Sequence, residues 1–116
     1  MQPDVHTLWK IYALLQQMGA TSSYTGFFHT AYAVLLTVKE PRRLLLVTKW
    51  LYPDVADYFH TSWYAVERNI RTVVNQIWKT HPEDLSRLAG YPLNKRPSSS
   101  QFIFILAEYL AAEQSS

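Results

Sequence analysis

Residues 53–79 read PDVADYFHTSWYAVERNIRTVVNQIWK, and this stretch decides the fold. Pro53 and Asp54 open a short helix: proline is tolerated at a first helical position, where its missing N–H costs nothing, and an aspartate there meets the positive end of the helix. Val55, Ala56 and Phe59 form its inner face. His60-Thr61-Ser62 then interrupts the pattern, with Thr61 or Ser62 placed to cap a long helix from about Trp63 to Lys79. The spacing is that of a helix-turn-helix over about 53–79. Ala56 stands where two helices must approach closely, the turn falls four residues later at His60, and Val66 follows Ala56 by ten residues to anchor the second helix. The turn residue has to accept a left-handed backbone, and histidine is among the residues enriched there.

Placed at about 100° intervals, the long helix divides in two. Val66, Ile70, Val73, Val74, Ile77 and Trp63 fall on one side, and Tyr64, Arg68, Arg71, Thr72, Asn75 and Lys79 on the other, with Glu67 at the edge of the second stripe. That stripe carries the groups that read base edges: arginine forks onto guanine, asparagine onto adenine, and glutamate accepts from cytosine. An ordinary solvent-facing helix surface has the same polarity.

Outward from this core the chain reads as further helices. Leu8, Ile11, Tyr12, Leu15 and Met18 recur at helical spacing over about 6–18, closed by Gly19. Ser22 or Ser23 then caps a helix with Phe27, Ala31, Val34, Leu35 and Val38 on its apolar face, running to about Lys39. Pro41 fits the first turn of a helix from Pro41 to Leu51. Pro82-Glu83-Asp84 starts a short helix that ends at Gly90. A polar loop, Lys95 to Ser100, precedes a last helix capped by Ser99 or Ser100, with Phe102, Ile105, Leu106, Tyr109 and Leu110 inward. The expectation is an all-α bundle of six or seven helices, residues 1–116 forming one domain with no strands.

Composition excludes several classes. With 116 residues and 48% hydrophobic content the chain can hold one core without staples, and with no cysteine it has no disulfide, thiolate metal site or cysteine nucleophile. The longest apolar stretch, Ala31 to Val38, falls far short of the roughly 18 residues a membrane helix requires. Met1-Gln2-Pro3-Asp4 lacks the basic and apolar regions of a secretory signal, so the expected compartment is the cytoplasm. His6, His29, His60 and His81 lie apart, without paired spacing for a metal, and read as surface or interface residues. Asp54 and Asp57 read as helix-terminus charges rather than an acid/base pair. No nucleotide loop or nucleophile elbow is present, and no enzyme, cofactor or metal site is expected. Tyr24, Phe27, Phe28 and Tyr32 read as core, or as a dimer or partner surface. The net charge of +2 is uneven: Lys39, Arg42, Arg43 and Lys49 against Glu40 give 39–50 a local +3, and Arg68, Arg71 and Lys79 against Glu67 give 60–80 a local +2. The basic centre suits phosphate, with Arg42 and Arg43 able to approach from the preceding helix, and suits a plain solvated surface equally.

The run Leu51-Tyr52-Pro53-Asp54-Val55-Ala56, with Phe59, Thr61, Val66-Glu67-Arg68, Ile70-Arg71 and Trp78, resembles the C-terminal DNA-binding effector domain of the stage zero sporulation protein A family, the sporulation response regulators. The likeness continues in register through Leu14–Gly19, Gly26, Leu88–Tyr91 and Phe102-Ile103, over about 8–113. It implies a six-helix effector domain of winged-helix-like type, with the recognition helix 63–79 in the major groove of double-stranded DNA. It also implies tandem copies or a homodimer on adjacent boxes, and contact with an RNA polymerase sigma factor. Carried over by position, Glu67, Arg68 and Arg71 match the base-reading residues; Tyr64 and Asn75 share their stripe. Thr61 and Ser62 match the phosphate-touching turn, with His60 beside them and Lys79, Lys95 and Arg96 as further phosphate contacts.

Three departures stand out. The Val-Glu-Arg motif is usually preceded by arginine and here by Ala65; Trp63 and Tyr64 replace small residues; and the basic loop Asn94-Lys95-Arg96-Pro97 is shorter than usual. Family members carry a receiver domain ahead of the effector, and this sequence holds none, so no phosphorylation switch is expected within it. The leading expectation is a sequence-specific DNA-binding transcription regulator. The alternative is a protein-interaction module that has kept the fold without useful DNA affinity and modulates a full-length relative.

Overall fold

The computed structural model describes residues 3–22 and 24–115, and among them there are six α-helices and no strands. They are α1 (Pro3–Gln17), α2 (Thr25–Lys39), α3 (Tyr52–Phe59), α4 (Trp63–Thr80), α5 (Pro82–Ala89) and α6 (Ser99–Ser115), with a 3₁₀ helix (Pro41–Leu46) and a π-helical turn (Val47–Leu51) between α2 and α3. The all-α bundle is thus the one expected, with several local differences.

The helix ends follow from local chemistry. Gly19 and Gly90, at φ of 90° and 85°, take the left-handed conformation that ends α1 and α5. The start of α2 differs from expectation: its N-cap is Tyr24, without a side-chain cap, and the Phe27 N–H donates to the Tyr24 carbonyl oxygen at 3.0 Å, so Ser22 does not cap; Ser23 lies outside the described residues. α6 is capped by Ser98, whose Oγ accepts from the Gln101 N–H at 3.1 Å while Gln101 reaches back to the Ser98 N–H at 3.4 Å. This reciprocal box places Ser99 and Ser100 inside the first turn.

Residues 41–51 do not form one α-helix. Pro41 does occupy the first turn, and Glu40 accepts from the Arg42 N–H, but Leu46 at φ −140°, ψ 66° breaks the run and the 3₁₀ segment buries none of its side chains. Only Leu44 and Val47 pack in part against the core before Leu51 is buried, which is little to compensate the poor continuation of the α-helix.

α2 runs through the middle of the molecule against α1, α3, α4 and α6. Phe27, Ala31 and Val34 meet Ile11 and Leu15 of α1, Ile70, Val73 and Ile77 of α4, and Phe102 and Leu106 of α6 in one buried cluster. Gly26 sets the α2–α4 crossing: a Cβ there would lie 2.3 Å from the Asn69 carbonyl oxygen and 2.9 Å from Val73 Cγ2. His29 is buried, at 3% exposure, against the surface role expected of it. Its Nδ1 accepts from the Asn69 amide at 3.4 Å and its ring meets Phe59 at 4.8 Å, because α3 and α4 close over that side of α2. Of the α2 aromatics Phe27 is core, Tyr32 is half-buried and stacks on Tyr58 at 4.3 Å, and Tyr24 and Phe28 are exposed.

Candidate nucleic-acid interface

The α3–α4 junction has the geometry of a tight helix-turn-helix. His60 adopts φ 59°, ψ 50°, the left-handed conformation required of the turn. Its N–H donates to the Asp57 carbonyl at 3.4 Å and that of Thr61 to the Ala56 carbonyl at 3.0 Å. Ser62 is extended and caps α4, its Oγ accepting from the Ala65 N–H at 3.3 Å. Ala56, buried, keeps the two helices close. His60 and Thr61 are exposed, while Ser62 is half-buried with its hydroxyl engaged by the cap.

α4 is two-faced. Val66, Ile70, Val73, Val74 and Ile77 are buried, which holds the helix against α2, α3 and α6. Tyr64, Arg68, Arg71, Thr72, Asn75 and Lys79 are all exposed, in the register the periodicity gives. From Tyr64 to Lys79 the ladder spans about 22 Å at 1.5 Å per residue. Trp63 departs from the expectation: it is 43% exposed rather than inward, because Val66 is the first α4 residue to reach the core, and its ring stands edge-on to Tyr64 at 5.9 Å.

The polar stripe is braced from outside the motif. Glu67, at its edge, accepts from Ser99 Oγ at 3.0 Å and faces Arg71 Nη2 at 3.5 Å. The Arg96 guanidinium donates to Asn75 Oδ1, tying the loop before α6 to the polar stripe. Tyr52 lies buried below: burial, with the Glu67 carboxylate adding to it, pushes its hydroxyl up to about 12, so it stays protonated. Neither brace was legible in periodicity, although the Ser98-to-Gln101 spacing, a capping-box signature, would have placed the α6 start correctly.

The basic stretch before the motif is less available than its composition suggests. Arg43 pairs with Asp54 at 3.2 Å, donates to the Leu36 carbonyl at 3.4 Å and lies over the Trp50 ring at 5.5 Å. Only a fifth of its side chain is exposed, and it ties the 3₁₀ helix to α3. Arg42 forks onto Glu40 at 3.1 and 3.0 Å in the open, and Lys39 pairs with Asp4 at 2.8 Å. Exposed pairs of this kind are weak, so Arg42 remains open to exchange with another anion. Lys79, Lys95 and Arg96 are exposed. Among the described residues no cluster of three or more His, Asp or Glu could hold a metal, and no helix is long and apolar enough to cross a membrane.

A family model for the C-terminal domain of the sporulation initiation factor Spo0A matches residues 11–110, from within α1 to the last turns of α6. The chain belongs to the Spo0A C-terminal family. That is a family of DNA-binding effector domains in transcription regulation and sporulation, not a catalytic one. The match includes the whole helix-turn-helix, the Gly26 crossing and the Ser98–Ser99 bracing.

Proposed function

We propose that this chain is a sequence-specific DNA-binding transcription regulator, acting in the cytoplasm and docking α4 in the major groove. The observation that carries the reading is the exposed ladder Tyr64, Arg68, Arg71, Asn75 and Lys79 on a helix whose opposite face is fully committed to the core. Arg68 and Arg71 contact base edges, with Glu67, Tyr64 and Asn75 tuning discrimination. His60, Thr61, Ser62, Lys79, Lys95, Arg96 and Arg42 position the domain on phosphates; the partners of Arg43 assign it to the fold instead. Tandem copies on adjacent boxes and contact with an RNA polymerase sigma factor belong to the same reading, by family likeness.

Fluorescence anisotropy against a duplex carrying the family's box and a scrambled control, over several salt concentrations, tests it. Tighter cognate binding that persists as salt rises supports base reading, since salt weakens chiefly the phosphate term. Arg71→Ala should cost about 1–3 kcal/mol on the cognate duplex and relax specificity, whereas Lys79→Ala should weaken all sequences alike. Equal losses for Arg71→Ala on both duplexes would overturn its assignment to a base.

One observation favours a second reading, a protein-interaction module acting on a full-length relative. A groove of about 360 Å³ between the 3₁₀ helix and α6 is lined by Val38, Leu44, Leu45, Phe104 and Ala107, with Leu45 80% exposed. Absence of any DNA binding, with a shift in light-scattering mass on mixing with a full-length family protein, would favour this reading over the first.

A further inference from the structure

We propose that Ser99, outside the helix-turn-helix, is a positioning residue for Arg71, acting through Glu67. This rests on the DNA reading of α4 and deepens it. The two oxygens of the Glu67 carboxylate are divided: Oε2 accepts from Ser99 Oγ at 3.0 Å and Oε1 faces Arg71 Nη2 at 3.5 Å. An unsupported glutamate on an exposed helix face samples several rotamers, and its pair with a residue four positions on is weak. Here the carboxylate is held from a second helix, at a sequence separation of 32 residues.

Ser99 is suited to that task. It is 6% exposed, in the first turn of α6, and its place is set by the Ser98–Gln101 cap before it and the fully buried Phe102 after it. The α6 register therefore decides where the Glu67 carboxylate sits, and the carboxylate decides which way the Arg71 guanidinium leans. An arginine has five N–H donors, so one turned toward Glu67 leaves others for a guanine edge. Arg96 treats Asn75 similarly: it takes Oδ1 and leaves the amide NH2 as the remaining donor. The order of the reading face is thus supplied by the α5–α6 connection and α6.

The test has one readout without DNA and one with it. In the free protein, nitrogen-15 relaxation of the Arg71 Nε–Hε group should show a marked loss of order in Ser99→Ala, and a comparable loss in Glu67→Gln, which removes the charge while leaving Ser99 in place. Unchanged Arg71 order in both variants overturns the proposal. On DNA, Ser99→Ala should lose about tenfold of the cognate-over-scrambled preference, the scale of one hydrogen bond to a charged group, and nothing further in a Glu67→Ala background. The same loss in that background would mean that Ser99 acts on the fold and not through Glu67. Should the unaltered chain show no cognate preference, the DNA reading fails by itself, and the Arg71 relaxation still decides whether Ser99 orders that side chain.

Discussion

α2 and α4 cross at Gly26 and are of similar length, 15 and 18 residues, yet they use their surfaces in opposite ways. α2 buries Phe27, His29, Thr30, Ala31, Val34, Leu35 and Thr37, side chains that cover most of its circumference and leave open only the strip of Thr25, Phe28, Tyr32 and Lys39. α4 buries one stripe, Val66 to Ile77, and presents the rest. A helix packed around most of its circumference keeps little surface for recognition; one packed along a single stripe is held rigidly and keeps a face free. On the proposed reading the difference makes α2 the scaffold and α4 the recognising helix, and the stability of the first becomes a condition for the geometry of the second.

The largest effect should come from breaking the stripe on which α4 depends. Ile70→Ala, at a site with no exposure, should cost about 3–4 kcal/mol in urea denaturation. Arg68→Ala, two positions earlier on the free face, should change stability by less than about 0.5 kcal/mol. Equal losses would erase the distinction between the two faces of α4. Next comes the crossing itself: Gly26→Ala forces a Cβ against the Asn69 carbonyl and should cost about 2–3 kcal/mol, since backbone cannot give way as a flexible side chain does. A variant as stable as the parent would show that the helices are free to part.

A smaller effect concerns the His29–Asn69 link between the same two helices. Burial holds the His29 imidazole below its ordinary value near 6.5, so the folded state binds a proton less readily than the unfolded one. The stability this contributes is therefore fully present above about pH 6.5 and is lost as pH falls from there to the folded-state value. Urea midpoints measured at pH 7.5 and 5.5 should decline on acidification in the parent and decline less in His29→Gln; identical slopes would remove His29 from the account. Smallest is a gain. His60→Gly relieves a left-handed conformation that glycine adopts freely and should stabilise the domain by about 0.5–1 kcal/mol by thermal unfolding, while removing a proposed phosphate neighbour. A loss of stability would mean that the His60 ring contributes contacts the turn needs.

Much of the architecture is legible locally. The spacing Ala56, His60, Val66 announces the helix-turn-helix and even the left-handed turn, and the division of α4 into two stripes follows from its period. Gly19 and Gly90 mark helix ends because a positive φ excludes most side chains. Other features were not legible. Arg42 and Arg43 are adjacent and equally basic in sequence, but only Arg43 meets an aspartate eleven residues on and an indole ring, and so leaves the surface. His29 looks like any isolated histidine until α3 and α4 close over it. Trp63 has the right period for the core and misses it because the core begins one turn later.

The sequence by itself determined that the chain is helical, where most helices stop, and which residues of α4 share a face, because periodicity, backbone sterics and helix-end chemistry act within a few residues. Only the tertiary structure decided that Ser99 holds Glu67 and that Arg96 holds Asn75, each from a distant segment. Those outcomes depend on pairs 21 and 32 residues apart, brought together by the burial of α6 against the bundle. A short-range pattern carries no information about which polar groups that burial will place within hydrogen-bonding distance.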